Sequence, residues 1–293
     1  MEGHLEFDER MRVTRRIVLE ALHHTVLQAH VVRFGSSVGG GKMLRARLVH
    51  AIGAVTAVPA EVLCSAAAAV EMLHAASLLH DDIVDGGLRR RGASALWVSE
   101  GARAAVLLGD LMLSLAAEKV LQSMPARLPL LIATLREMCE AEAEQEFTAG
   151  DAGDATWEAC VSLARRKTGS LFGFAAACAG GLQPAQVDAL QRAGYALGTA
   201  YQLADDLLDA SPAPGVQDKS LGTDAATGKL TAAVAVPPNG ETPVAYIRSL
   251  LRESEAVLDD WPDVRRAWRA FVRFDVAPCV AAFTAASRAE IMA

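Results

Sequence analysis

The chain has 293 residues, of which 52% are hydrophobic but only 5% aromatic, and it carries a net charge of -7. Such a length makes one large domain or two small ones with a sizeable core, and its apolar content is mostly the helix formers Ala and Leu with Val, which excludes a disordered, fibrous or loop-rich chain. The acidic balance argues against a general nucleic-acid binder, and the absence of any run of about 18 apolar residues free of charge argues against a transmembrane helix.

The first ten residues are charged from the start and lack the apolar core of a signal peptide. Residues 8–32 carry Val13, Ile17, Leu19, Leu22, Val26, Leu27 and Val31 at helical spacing. Gly39-Gly40-Gly41 interrupts the pattern, and a second helix is predicted from near Lys42 through Leu48 and Ile52. Pro59 suits the first turn of a third helix, over about 60–82, which is apolar on almost every face and so is expected at the centre of the fold. Further helices are predicted over 101–122, 129–149, 157–180 and 185–209. Ser211–Gly240, rich in Pro, Gly, Asp and Thr, reads as a long loop with a helical insert. Helices over 241–258 and 263–289 close the chain, and no strand pair is expected. The reading is all-α, with one domain over 1–293. Cys64, Cys139, Cys160, Cys178 and Cys279 are odd in number and widely spaced, and are read as reduced core residues of a cytosolic protein.

One internal echo carries chemistry. Asp81-Asp82-Ile83-Val84-Asp85 and Asp205-Asp206-Leu207-Leu208-Asp209 each end a strongly apolar helical stretch. Residues i and i+4 share a helix face, so Asp81 pairs with Asp85, and Asp205 with Asp209. Carboxylates crowded at the end of an apolar helix repel one another and call for a counter-charge. Magnesium supplies one, binding a few carboxylates together with water and phosphate oxygens. Either box alone would more often be a solvated helix end; two near-identical ones make that reading poor. Basic residues surround them in sequence. Lys42 stands at a helix start after a glycine run, where exposed amides favour an anion. Ser36 and Met43 exclude a nucleotide P-loop there. Arg89-Arg90-Arg91 follows the first box, Lys167-Thr168 interrupts an apolar helix, and Lys219 and Lys229 follow the second box. Arginine forks match phosphate oxygens, so the whole set points to metal ions bridging to a diphosphate.

In order, GGKMLR (40–45), ExxHxxSLLHDDxxD (71–85), RRG (90–92), GD (109–110), EAEAEQ (140–145), KT (167–168), YQLADDLLD (201–209), LG (221–222) and GK (228–229) resemble the trans-isoprenyl diphosphate synthase, or polyprenyl synthetase, family. The resemblance runs from about residue 35 to residue 231. It implies a single helical bundle around a deep central cavity, with the two acidic boxes facing each other at its mouth. It implies Asp81, Asp85 and Asp205 as the main magnesium ligands, supported by Asp82, Asp206 and Asp209, with about three Mg2+ per site once substrate is bound. Arg90, Lys167 and Lys219 would hold an allylic diphosphate, with Thr168 and Gln202 hydrogen-bonding nearby. Lys42, Arg45, His74 and Arg91 would hold the diphosphate of isopentenyl diphosphate, with Lys229 also among the substrate-binding residues. The motif usually reads GGKRLRP; here Met43 replaces Arg, Ala46 replaces Pro, and Ala141 replaces a common Gly. A homodimer in the cytoplasm, without a transmembrane segment, is implied, and a long product would need hand-off to a membrane. Ala76 and Ser77 lie about one turn before the first box, where a large aromatic would close the cavity early. Both are small, which favours a product of roughly C25 or longer over C15, unless Met112 or Phe147 sets the floor. A short-chain farnesyl or geranylgeranyl synthase is the alternative.

Four other readings compete. A terpene cyclase usually lacks the second box and has no use for Lys42, Arg45 and His74. A squalene-type synthase would space its boxes differently, and a non-catalytic subunit of a heteromeric synthase would have lost one. Glu20-x-x-His23 and Glu71-x-x-His74 have the spacing of a di-iron bundle, with Glu144 or Glu146 to add. Glu20 to His24 read better as a solvated face, and His80 as a supporting residue.

Overall fold

The computed structural model describes residues 7–28, 40–147, 156–210, 231–232 and 235–281. Their contacts divide into two compact units, one of residues up to Pro129 and one of residues from Leu130 onward. Both are helical, as the composition predicts.

The first unit is built around α3 (Ala60–Val84). Against it pack α1 (Phe7–His23), α2 (Leu44–Gly53), the short α4 (Leu96–Glu100) and α5 (Ala102–Ser123). Ala66, Ala67, Ala68 and Ala69 are all fully buried, because small side chains on every face let neighbours approach from several directions. By length and composition α3 could span a membrane, yet most of it is enclosed as a core helix. Close approach is secured by glycine at two contacts. A Cβ on Gly53 would lie 2.4 Å from Leu63 Cδ1, and one on Gly109 would lie 2.2 Å from His80 Nε2. The Gly109-Asp110 pair is thereby explained: the glycine admits His80 against α5, and Asp110 lies 3.6 Å from its ring.

The prediction of no strand pair is corrected here. β1 (Arg89–Arg90) and β2 (Ala93–Ser94) form a two-residue antiparallel ladder, with Arg89 opposite Ser94 and Arg90 opposite Ala93. Arg91 (φ 53) and Gly92 (φ 76) make its turn, and two positive φ values in a two-residue loop match the right-handed twist of a hairpin. So short a ladder leaves no alternating pattern to read.

The second unit contains most of α6 (Leu128–Phe147), then α7 (Trp157–Ala164), α8 (Ser170–Ala179), α9 (Pro184–Ala210), α10 (Pro243–Ala256), α11 (Pro262–Phe271) and α12 (Ala277–Ala281). The helix predicted over 157–180 is interrupted by a π-helical turn, Arg165–Gly169. α8 and α9 then meet backbone to backbone. A Cβ on Gly194 would stand 2.4 Å from the Phe172 carbonyl oxygen, and one on Gly198 2.7 Å from Gly169 Cα. Glycines four apart on both helices, Gly169 with Gly173 and Gly194 with Gly198, make this contact possible. Tyr195 donates to Glu137 Oε2 at 2.8 Å and so pins α9 to α6.

Other boundaries differ in detail. α1 stops at His23, where Thr25 Oγ1 donates to the Leu22 carbonyl at 2.7 Å, rather than running to 32. The last predicted helix breaks at a second π turn, Val272–Val276, and the predicted loop over 211–240 and the end of the chain lie largely outside the described residues. All five cysteines are unpaired, but Cys139 is exposed, which corrects its reading as a core residue; the exposed face of α6 simply carries it.

Candidate active site

In the first unit the first acidic box occupies the last turn of α3 and its C-cap, Asp85. The negative end of a helix dipole is an unfavourable place for carboxylates, so the arrangement stores a demand for cations. Asp82 meets that demand within the protein. It is only 5% exposed. The Arg90 fork reaches it, with Nε 2.9 Å from Oδ1 and 3.2 Å from Oδ2. The hairpin that follows the box is what swings Arg90 back onto it. Asp81 and Asp85 are half-buried, one turn apart on one face.

The glycine loop and the arginine hairpin also converge. Gly41, at φ +87, lies under the Arg91 guanidinium, so close that a Cβ would stand 2.7 Å from Nη2. Lys42 is exposed at the entrance to α2 and Arg45 sits in the first turn. Both arginines act on the charge of Glu71, a buried carboxylate on α3 that accepts the Ala46 N–H at 2.9 Å. Burial lowers the Arg91 pKa, with the charge of Arg90 next in weight. His74 is half-buried on the same helix, and its carbonyl accepts from Ser77 Oγ at 3.0 Å. Glu71 opens the motif ExxHxxSLLHDDxxD and also forms a Glu-x-x-His pair with His74, but sequence reasoning assigned it no role. The other Glu-x-x-His pair is solvated: Glu20 and His23 are exposed, and Glu20 lies 3.7 Å from Arg16.

In the second unit the π turn presents Lys167 and Thr168. Such bulges widen one turn and re-aim its side chains. Thr168 Oγ1 donates to Gln202 Oε1 at 2.5 Å, and Gln202 Nε2 donates to Asp206 Oδ1 at 2.8 Å. The other oxygen of Asp206 takes the Ala232 N–H at 3.0 Å. Cys160 donates to the neighbouring Thr231 carbonyl at 3.3 Å; burial, with the charge of Asp206 behind it, pushes this thiol up to about 11. Lys167 Nζ is 2.6 Å from Glu142 Oε2 and 2.9 Å from Gln145 Oε1, while Arg166 reaches Glu144 at 2.7 Å. These α6 partners were in the motif EAEAEQ but had no role assigned; their three-residue spacing, which puts Glu142 and Gln145 on one face, was the available signal.

A common plan thus appears in the two boxes. The second aspartate of each is tied down within its own unit, Asp82 by Arg90 and Asp206 by Gln202 and Ala232. Asp205 is half-buried beside it; the side chain of Asp209, and Lys219 and Lys229, lie outside the described residues. Among the described residues no three His, Cys, Asp or Glu side chains are drawn together as a ready-made metal cage. Paired carboxylates at a helix end suit a hard divalent cation.

An all-α fold bearing paired aspartates and a basic cluster matches what the resemblance in the sequence implies, and the comparisons agree on the family. The polyprenyl synthetase model matches residues 33–260. The geranylgeranyl diphosphate synthase of Mycobacterium tuberculosis is 33% identical over 238 residues, covering 78% of this chain and 67% of that protein. The octaprenyl diphosphate synthase of Escherichia coli is 33% identical over 225 residues, covering 73% of this chain and 67% of the other. A crystal structure of polyprenyl synthase from Caulobacter crescentus, complexed with calcium and isoprenyl diphosphate, superposes with a TM-score of 0.70 at 29% identity, covering 95% of this chain and 84% of that one. The chain belongs to the polyprenyl synthetase family and is a trans-prenyltransferase of isoprenoid biosynthesis, acting on isoprenyl diphosphates.

Proposed function

We propose that the protein elongates an allylic diphosphate with isopentenyl diphosphate, using magnesium, and makes a medium- to long-chain all-trans product. The observation that carries this reading is the repeated plan of the two boxes, each with its second aspartate tied down and the first kept beside it. Asp81, Asp85 and Asp205 would hold the cations, with Asp82, Asp206 and Asp209 in support. Bound divalent cations would supply neutralisation of the departing diphosphate. The calcium and isoprenyl diphosphate of the Caulobacter crescentus structure support divalent metal use.

The residues of this chain divide the remaining work. Lys167, with Arg90 and Lys219, holds the allylic diphosphate and stabilises the negative charge that grows as the allylic C–O bond breaks. To do so, Lys167 exchanges its Glu142 and Gln145 partners for phosphate oxygens. The dipoles of Thr168 and Gln202 face the positive carbon. Lys42, Arg45, His74 and Arg91, with Lys229, hold isopentenyl diphosphate so that its double bond attacks that carbon and a new C–C bond forms. Loss of a proton to the departed diphosphate restores an alkene. We propose further that the two units act as one polyprenyl synthetase domain over 1–293, since the family match runs through both. A cytoplasmic location suits five unpaired cysteines, and a homodimer suits the exposed Val106, Leu107 and Leu121 of α5. A long product would leave by hand-off to a membrane.

Product length rests on the small side chains before the first box. Ser77 keeps some exposure, whereas Ala76 is fully enclosed. Phe147 is exposed and Met112 fully buried. The relatives include both geranylgeranyl and octaprenyl synthases, so a short-chain product is the second reading. Incubation with isopentenyl diphosphate, Mg2+ and allylic primers of increasing length, followed by chromatography, tests both. Elongated products that vanish with chelator are expected. No elongation of any primer would overturn the proposal.

A further inference from the structure

We propose that Glu71 is the positioning residue of the isopentenyl diphosphate site: it caps α2 from a neighbouring helix and fixes Arg45 and Arg91 around one buried carboxylate, an arrangement that Ala46 makes possible. The inference rests on the substrate assignment proposed above.

The first turn of α2 needs an outside acceptor. The N–H groups of a helix's first turn have no partner within the helix, and a polar N-cap side chain ordinarily serves the third residue. Here the N-cap position is Met43, in the left-handed region at φ 47 and ψ 46, and it makes no side-chain cap bond. Ala46 is the third helical residue, and its N–H donates to Glu71 Oε1 at 2.9 Å, across 25 residues of sequence. A proline at this position has no N–H to give. The resembled motif ends in Pro where this chain has Ala46, so the tie belongs to the departure itself.

Glu71 also organises charge. It is 6% exposed, and an ionised carboxylate at such depth is costly unless paired and hydrogen-bonded. Burial pushes its pKa up, while the Ala46 N–H and then Arg45, Arg91 and Arg15 oppose that shift. Arg15 in turn donates to Met43 Sδ at 3.5 Å, holding the residue that stands where the motif has an arginine. Arg91 is seated on Gly41, directly before Lys42. Like-charged guanidinium groups gathered for a diphosphate repel one another in its absence. A single carboxylate behind them offsets that repulsion and leaves their forks oriented before substrate arrives. Glu71 itself need not touch the substrate.

Glu71→Ala, Glu71→Gln and Ala46→Pro separate the parts of this argument. Glu71→Ala should raise the KM for isopentenyl diphosphate by about tenfold or more, with the allylic KM within about twofold of wild type. Glu71→Gln keeps an acceptor for the Ala46 N–H but loses the charge that faces Arg45 and Arg91, and should recover only part of the loss. Ala46→Pro removes the donor alone, in a first turn that tolerates proline, and should raise the same KM several-fold. Calorimetric binding of isopentenyl diphosphate without primer should follow the same order. An unchanged isopentenyl diphosphate KM in Glu71→Ala, or equal rises in both KM values, overturns the role. If Glu71→Ala does not fold, an unchanged KM in Ala46→Pro overturns it instead. A wild-type protein that neither binds nor elongates isopentenyl diphosphate removes the substrate reading beneath it. Normal wild-type elongation with indifferent variants removes only the role of Glu71.

Discussion

Asp81 and Asp205 are each half-buried next to an aspartate that the protein already neutralises or hydrogen-bonds. Removing a like-charged carboxylate relieves repulsion in the metal-free protein, so Asp81→Ala and Asp205→Ala should fold with an almost unchanged Tm. Turnover should nevertheless fall by orders of magnitude in each; steady-state assays giving both variants within about tenfold of wild type would contradict the two-box mechanism. A second residue gives a pH signature. His50 is fully buried, 2.8 Å from Thr14 Oγ1, and burial with the Arg10 charge lowers its pKa to about 4. In the unfolded chain it titrates near 6.5. Between these values only the unfolded state takes the proton, so stability is full above about pH 6.5 and falls as pH drops toward 4, by up to about 3 kcal/mol. Denaturant midpoints from pH 7 to 4.5 should show a loss in wild type that His50→Gln lacks; parallel curves would refute it. Ser77 gives a third test. Ser77→Phe should shorten the product by one or more isoprene units, as chromatography would reveal, whereas Ala76→Phe would overpack an enclosed position and cost stability as well. A product of unchanged length in Ser77→Phe would show that the floor is set elsewhere.

The helices differ in how they are held, and the contact of α8 with α9 is the most sensitive. Gly194→Ala places a methyl 2.4 Å from the Phe172 carbonyl oxygen, which is backbone and cannot swing aside. The helix-propensity gain of Gly to Ala, up to about 1 kcal/mol, is outweighed by an overpacking cost of about 1–3 kcal/mol. The variant should therefore melt lower, despite a better helix former. Because Gly169 and the π turn lie at this contact, Lys167 and Thr168 should shift as well, lowering kcat more than the modest loss of Tm implies. A raised Tm with full activity would show that the helices have room to part. The same contact explains why the chain between 157 and 180 read as one helix. Its apolar residues keep helical spacing through the bulge, and one extra residue in a turn leaves no mark on composition.

For the whole molecule, the testable expectation is association. α5 keeps Val106, Leu107 and Leu121 exposed, and apolar positions on one helix are an economical surface for a second copy. Light scattering at micromolar concentration should give about twice the 30.9 kDa mass of one chain, and a value near one chain mass would argue against the homodimer. The sequence by itself determined the all-helical class, the central place of the 60–84 helix and the location of both acidic boxes. These follow from composition, apolar periodicity and residue spacing, all of which are local. Tertiary structure alone decided the partners. That Arg90 turns back onto Asp82, that Glu142 and Gln145 hold Lys167, and that Glu71 caps a helix begun 27 residues earlier depend on where the chain reverses. A hairpin of two-residue strands, a π turn and a borrowed cap are all short-range in space but carry no periodic signature. They form because buried N–H groups and carboxylates must find partners once the apolar faces have packed.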